Sequence, residues 1–380
     1  MAFVFRKISK RLLIIIHIVV ASLFLLACCN AFLNPMTWWF LSIIGLGFPF
    51  LLVGVVFFGL FWLLFLSRWG WLSLACLVLG YSNIRALIGF NYGKKYTKTK
   101  PANSLRVMSW NVTWFDEQTK ADKSRKSHRN DMLEYIKQQD ADILCFQEYL
   151  EPNSIKIPYN NRQDLAKMGY PYAMTVSDYI GWKDQFHSGV AIFSKYPILD
   201  SSRYIYPGPK NFRAAESLIY VDINFQGEKI RIYTTHLQSV LFQPKDYANL
   251  SRIKNGSDSM YEAGRSIINK LGMGYMFRGQ QADIVRKQTD LSPYPHILCG
   301  DFNDIPNSYT YFHIKGKRQD AFRVAGAGIG RTFRHLSPTL RIDYIMADKR
   351  FEVLQYFTDI LDYSDHYPVI TDFSLKNKEN

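Results

Sequence analysis

No aspartate or glutamate occurs before Asp116, although the chain carries 32 acidic residues over its 380 positions. The first hundred residues hold ten charged side chains, all basic: Arg6, Lys7, Lys10, Arg11, Arg68, Arg85, Lys94, Lys95, Lys98 and Lys100. They supply most of the net charge of +14, because the rest of the chain sets 36 basic against 32 acidic groups. The overall charge therefore gives no case for a uniformly basic nucleic-acid-binding surface. Cysteine is scarce as well: there are five, an odd number, and none has metal-ligand spacing. This argues against a disulfide framework, and Cys145 and Cys299 read as small buried hydrophobes.

Where acids are missing, long uncharged runs are present. Residues 12–33 follow a basic start and, at 1.5 Å per helical residue, are long enough to cross a hydrocarbon core of about 30 Å. Residues 37–66 are again uncharged, and their length predicts a tilted or kinked helix bent near Gly45, Gly47 and Pro49. A third run, 69–90, carries Arg85 near its end, where a long side chain reaches the interface. Trp38, Trp39, Trp69 and Trp71 sit at the edges of these runs, as interfacial aromatic residues do. Leu25-Leu26-Ala27-Cys28 resembles a lipoprotein cleavage box, but two further apolar runs follow that cleavage there would not remove.

The expected organisation is thus a multi-pass membrane segment over 1–90 with about three transmembrane helices, a linker over 91–104, and a folded domain over 105–376. The lipid bilayer is the partner of the first part, and no protein partner can be inferred. Basic residues before the first span favour a cytoplasmic N-terminus, so three spans put the domain outside the cytoplasmic membrane. The basic cluster from Lys94 to Lys100 argues the other way.

From Ser104 onward, short apolar runs alternate with polar helical patterns, without internal repeats. Strands are predicted at Leu105-Arg-Val-Met-Ser-Trp, Asp142–Phe146, Ser188–Phe193, Ser217–Asn224, Lys229–Thr235, His296–Cys299, Arg341–Met346 and Val369–Phe373. Helical spacing marks 127–139 and 258–288, the latter with breaks near Gly272 and Gly274. Many strands and fewer helices fit a layered α/β architecture.

Polar residues fall in a pattern. Asn111, Glu148, His236, Asp301 with Asn303, Asp343, and Asp365 with His366 each lie at or just beyond a strand-like run. One such residue is ordinarily a turn former. Seven clusters of them suggest a site at a common rim of the sheets. Phosphoester hydrolysis needs charge neutralisation at the phosphate, an activated water and a stabilised leaving oxygen. Asn111, Glu148 and Asp365 supply hard oxygen donors, a set suited to Mg²⁺ or Mn²⁺ better than to Zn²⁺. His366, with Asp343 on another strand, suggests a carboxylate orienting an imidazole base. His236 could contact a phosphate oxygen, and the turn Gly300-Asp-Phe-Asn-Asp-Ile-Pro could bring Asp301 and Asn303 to the phosphate while Asp304 stabilises the turn.

The ordered series Ser109-Trp-Asn111, Gln147-Glu148, Ser188-Gly189, Thr235-His236-Leu237, Gly300-Asp301-Phe-Asn303-Asp304, Arg341-Ile-Asp343-Tyr-Ile and Ser364-Asp365-His366-Tyr-Pro resembles the endonuclease/exonuclease/phosphatase superfamily over nearly all of residues 104–376. The resemblance implies a four-layer α/β sandwich, two packed mixed β-sheets flanked by helices, with a site at one end. It implies Asn111 and Glu148 as metal ligands with Asp365 contributing, His366 paired with Asp343 as the catalytic unit, His236 touching the phosphate, and Asp301 with Asn303 positioning or activating the nucleophile. Either His366 or Asp301 is the base. No motif position is missing.

The expected function is a membrane-anchored, Mg²⁺- or Mn²⁺-dependent hydrolase of a phosphodiester or phosphomonoester. A lipid or other membrane-proximal ester suits the anchor. A nuclease acting on DNA or RNA is the alternative enzyme, and a non-catalytic membrane scaffold is the alternative of another class. Residues 238–295 hold Arg252, Lys254, Arg265, Lys270, Arg278, Arg286 and Lys287, part of which would shape a substrate cleft. Thr332 could reach a phosphate.

Overall fold

The computed structural model describes residues 2–93, 96–121, 126–153, 159–181, 184–208, 215–240 and 260–376. Lys94, Lys95, Arg252 and Lys254 lie outside the described residues. The chain divides into two compact units, one of Met1–Leu87, Val240–Gln280 and Ile305–His313, the other of Ile88–Ser239, Gln281–Asp304 and Ile314–Asn380.

The first unit is helical. Its opening run forms one helix, Ala2–Cys29, of which Ser9–Cys29 is long and apolar enough to cross a membrane. The second run breaks at Gly47 into Pro35–Leu46 and Phe48–Leu64, bent by 55°. Pro49 sits in the first turn of the later helix, where its missing N–H costs nothing. The third run differs from expectation. It divides at Gly80 into Gly70–Leu79 and Tyr81–Leu87, 10 and 7 residues long, too short for either to span a core of about 30 Å. The outward-facing orientation rested on an odd number of spans and loses that basis. Met260–Asp290 is one unbroken helix despite Gly272 and Gly274. A Cβ on Gly272 would meet the Trp39 ring at 2.9 Å, so this glycine lets the indole approach and packing outweighs its poor helix propensity.

The second unit is an α/β fold of two mixed β-sheets flanked by helices. Among the described residues one sheet has seven strands, with Leu105–Asn111 and Ile143–Pro152 parallel at its centre. The other has six, with Glu228–His236 and His296–Asp301 parallel. Alternation along each strand builds the layers. Leu105, Val107, Ile143, Cys145 and Ile192 of the first sheet share a core with Ile219, Val221, Ile232, Ile297 and Cys299 of the second. Met108, Trp110, Leu144 and Phe146 face the other way, onto Met132, Tyr135 and Ile136 of the helix Arg129–Gln139. Both faces of the central strands are buried, which explains their nearly continuous apolar sequence. Cys145 and Cys299 are core residues of the layer between the sheets, as read from the sequence.

Two buried ion pairs cross this framework. Arg106 forks onto Asp372 at 2.7 and 2.8 Å, and Arg341 reaches Asp320 at 3.0 Å beneath the rings of Phe322 and Tyr344.

Candidate active site

The two parallel pairs and the antiparallel strands beside them deliver their polar ends to one place. In register, Asn111 lies beside Gln147, and Asp301 lies beside both His236 and Asp343. Val369 pairs with Ser109, which brings the preceding Asp365-His366 to the same end.

Local irregularities aim the side chains. A bulge in the pairing of Ile143–Pro152 with Phe186–Ser194 falls between Phe146 and Tyr149, and within it Glu148 takes φ +50°. Bulges turn a side chain out of the strand's alternation, which here sends Glu148 toward Asn111. A second bulge, between Glu216 and Ile219, sets Glu216 opposite His236. Gly300 allows a close backbone approach, because a Cβ there would stand 2.3 Å from the carbonyl of Thr235.

Asp301 is the centre. Its Oδ2 accepts from the Asn111 amide at 3.2 Å and lies 3.6 Å from the Nε2 atoms of both His236 and His366. The Asn111 amide also donates to Glu148 at 3.1 Å, while its oxygen accepts from the backbone N–H of Thr113 at 3.1 Å. His366 Nδ1 bonds Asp343 at 2.9 Å, which leaves Nε2 facing Asp301. His366 is further fixed by Trp110, whose indole N–H donates to its carbonyl at 2.9 Å. His236 Nδ1 lies 3.2 Å from Glu216, whose carboxylate also accepts from the Glu148 backbone N–H at 2.9 Å. Both His236 ring nitrogens lack a well-aligned hydrogen bond, as expected of an imidazole that waits for a further partner.

The charges of these groups are mutually dependent. Burial pushes Glu148 up to about 7, with Asp365 and Glu216 adding to the rise and His236 and Asn111 opposing it. Burial also lifts Asp343 to about 6, assisted by Asp301 and opposed by His366. Burial alone would strip the proton from His366, but the carboxylates of Asp343 and Asp301 outweigh it and hold the imidazole protonated. Against the same penalty, Glu216, Asp301 and Glu148 push His236 up to about 10. Asp365 moves down, since His366 and the hydroxyls of Thr113 and Ser364 overcome its burial.

Of the residues singled out from sequence, Asn111, Glu148, His236, Asp301, Asp343 and His366 are joined in this network. Asp365 bonds Thr113 and Ser364, and its charge is felt at Glu148. Asn303, at φ +51°, commits its amide N–H to the Leu237 carbonyl at 3.0 Å and its backbone N–H to Asp301 at 2.8 Å, so it shapes the Asp301 turn. Asp304 serves the turn through its carbonyl, which accepts from the Tyr344 hydroxyl. Thr332 is fully buried and its hydroxyl accepts from the backbone N–H groups of Ile342 and Asp343, so it anchors the Asp343 strand. Arg278 is buried over the Tyr275 ring, and Arg286 pairs with Asp290. Glu216 was missed by sequence reasoning. The available signal was an acid at the start of the strand Glu216–Phe225, in register with a site histidine.

The donor set fits a hard divalent cation. Glu148, Asp365 and the Asn111 amide offer oxygens, Asp301, Asp343 and His366 each offer an atom within 4.8 Å of one another, and no thiolate joins them. Asn111 now turns its N–H₂ between the carboxylates of Glu148 and Asp301, a position where positive charge is favoured.

Comparison with known proteins agrees with this arrangement. The profile of the Endonuclease/Exonuclease/phosphatase family matches residues 108–366, and that of a Domain of unknown function (DUF8431) matches 10–87. Sphingomyelinase C 2 of Leptospira interrogans serogroup Icterohaemorrhagiae serovar Lai (strain 56601) is 26% identical over 203 residues, which cover 50% of this chain and 28% of that protein. The chain thus spans under a third of the relative's length. An endonuclease/exonuclease/phosphatase from Beutenbergia cavernae DSM 12333 superposes with a TM-score of 0.52 at 19% identity, over 72% of each chain. The human Nocturnin catalytic domain with bound sulfate gives 0.51 at 18%, over 76% of this chain and 100% of that one. Those structures share the fold. With the profile spanning well over half of its length, the chain belongs to the Endonuclease/Exonuclease/phosphatase family.

Proposed function

We propose that the protein is a membrane-attached, divalent-metal-dependent phosphodiesterase whose substrate is a lipid phosphodiester. The observation that carries the reaction class is the convergence of two imidazoles and an asparagine amide on one carboxylate oxygen of Asp301, with Glu148 beside them. A phosphoryl group in that gap meets two protonated imidazoles, which stabilise charge developing on its oxygens. Asp343 holds the His366 ring and keeps its proton available at Nε2 for the leaving or phosphoryl oxygen. Asp301, facing the same gap, accepts the proton of the attacking water. Asn111, Glu148 and Asp365 would hold Mg²⁺ or Mn²⁺, which supplies Lewis-acid neutralisation of the phosphate when bound.

Membrane attachment is supported by the character of the first unit's surface. In the Ser9–Cys29 helix 28% of the apolar window is buried, too little for the core helix of a water-soluble bundle. Phe50, Val53, Leu60 and Leu63 of the bent pair are exposed, as is Leu64 at 81%. An apolar surface of this extent calls for lipid rather than water. The likeness to a sphingomyelinase supports a lipid substrate over a nucleic acid.

The test is turnover by the full-length protein, under one Mg²⁺ concentration, of vesicles containing sphingomyelin or phosphatidylcholine against single- and double-stranded DNA. Release of a phosphorylated headgroup with DNA left intact supports the lipid assignment. Cleavage of DNA with the vesicles untouched refutes it and leaves the nuclease.

A further inference from the structure

A cavity of about 310 Å³ opens within the second unit, at the end of the six-stranded sheet remote from Asp301. His296, on its wall, begins the strand that Asp301 ends, and Asp348, also on its wall, follows the strand that Asp343 begins. Two neighbouring strands thus carry an active-site carboxylate at one end and a cavity residue at the other. At about 3.3 Å per strand residue the two places lie roughly 16 Å apart.

Strand pairing explains why charge gathers here. Gln319 pairs with Ala347, and the same antiparallel register carried past both residues brings Lys317-Arg318 and Lys349-Arg350 to one cavity. The arginines are committed. Arg318 donates to Asp290 at 2.7 Å, to the Ile314 carbonyl at 2.9 Å and to His296 Nε2 at 2.8 Å. Arg350 forks onto Asp348 at 2.8 and 2.9 Å. The lysines are exposed, and among the described residues neither forms an ion pair. Like charges facing each other across paired strands are unfavourable unless an anion lies between them.

His296 adds a donor. Because the Arg318 N–H makes Nε2 an acceptor, the ring proton sits on Nδ1. There it has no hydrogen-bond partner, and Asp348, drawn into the Arg350 fork, stays 3.8 Å away. Burial pushes His296 down to about 4, with Arg318 and Arg350 adding to the fall and Asp348 and the Tyr294 carbonyl opposing it, so the ring is neutral at physiological pH. The residue is 6% exposed, and a buried donor without an acceptor is rare in a folded protein.

We propose that this cavity binds a phosphate-bearing anion, at a site separate from the catalytic one and independent of the ester cleaved there. Charge and shape select the ligand class. Four cationic side chains line the cavity against two carboxylates, a net +2 that complements a phosphate dianion. The planar guanidinium forks that match a carboxylate are already occupied by Asp290 and Asp348, whereas the free ammonium groups act as point charges that suit tetrahedral oxygens. The space is at the small end of ligand pockets, which run from about 300 to 1,000 Å³, so it suits inorganic phosphate or a short phosphomonoester. A soluble phosphate and the phosphomonoester headgroup of an anionic lipid offer the same chemistry.

The experiment is calorimetric titration of the full-length protein in nonionic detergent micelles, at low salt with EDTA, using inorganic phosphate, glycerol 3-phosphate, dihexanoyl phosphatidic acid and acetate. The double variant Lys317→Ala/Lys349→Ala should keep the wild-type Tm, since both side chains are exposed, and bind phosphate about tenfold more weakly, the loss expected of two surface charge contacts. His366→Ala should retain the lysine-dependent binding, acetate should bind at least tenfold more weakly than phosphate, and added salt should weaken both. Phosphatidic acid bound about tenfold more tightly than glycerol 3-phosphate assigns the site to a lipid headgroup, and equal affinities assign it to a soluble phosphate. Absence of phosphate binding to the wild type, an affinity unchanged in the double lysine variant, or acetate bound as tightly as phosphate overturns the proposal.

Discussion

Replacing Asp343 by asparagine isolates the contribution of the carboxylate that orients His366. The side chains are nearly isosteric, and the backbone N–H of Asp343 keeps its bond to Thr332, so the strand stays in place. What is lost is the charge-assisted bond of 2.9 Å to His366 Nδ1 and with it one of the three carboxylates that keep the imidazole protonated. Proton transfer by a positioned side chain contributes about 10²–10⁴ in rate. Losing the orienting charge while keeping the ring should remove the lower part of that range, about a hundredfold in kcat, or about 2.7 kcal/mol of barrier. KM should change little, because Asp343 faces His366 and not the gap. Stability should fall, since the buried imidazole of His366 loses a compensating carboxylate. Steady-state kinetics on bis-p-nitrophenyl phosphate with a parallel thermal melt decide the matter. A kcat within threefold of wild type would refute the role given to the pair, as would a fall in kcat that merely tracks a fall in Tm.

Other predictions follow from single features. Glu148 must be ionised to hold a cation, and burial sets its titration at about 7; Mg²⁺ affinity should therefore rise about tenfold per unit of pH up to that value and level off above it. Glu148→Gln should bind the ion weakly at every pH, as read by calorimetric titration between pH 5.5 and 8.5, and an unchanged slope in the variant would count against Glu148 as a ligand. Arg106→Leu takes from the buried Asp372 its forked guanidinium partner, a loss of about 3–5 kcal/mol, visible as a lower denaturant midpoint with unchanged slope. Gly300→Ala places a Cβ 2.3 Å from the Thr235 carbonyl and should cost about 2 kcal/mol or more by pushing apart the strands that carry Asp301 and His236; a melt matching wild type would contradict the close approach.

Most of the catalytic constellation could be read from the sequence because it combines two signals, an apolar run that ends and a polar residue at that end. Asn111, Glu148, His236 and Asp301 satisfy both, whereas Asp343 and His366 stand at or before the start of their strands and entered through the motifs that resemble the family. Glu216 also opens its strand and belongs to none of those motifs, which is why it went unread. Thr332 shows the opposite failure: a hydroxyl in a loop motif suggests a ligand contact, yet burial turned it onto backbone N–H groups. Strands at the sheet margins, Tyr172–Thr175, Tyr179–Gly181 and Ile198–Tyr204, escaped notice because they are partly exposed and lack a continuous apolar run. Phe351–Thr358 was hidden by its mixed polar alternation and a bulge at Val353. Apolar length predicted a third span over 69–90, but hydropathy cannot see that Gly80 divides the run. A Cβ at that glycine would stand 2.6 Å from the Phe24 ring. The same blindness to packing placed breaks at Gly272 and Gly274 that the long helix does not have.

The central claim is that this site hydrolyses phosphodiesters with a divalent cation and His366. Its most direct test is hydrolysis of bis-p-nitrophenyl phosphate by the full-length protein in detergent, with Mg²⁺, with Mn²⁺ and with EDTA, beside His366→Ala. Turnover that requires the metal, disappears in EDTA and falls by about two orders of magnitude or more in His366→Ala is the predicted result. Turnover indifferent to EDTA, or retained in a folded His366→Ala, would contradict it.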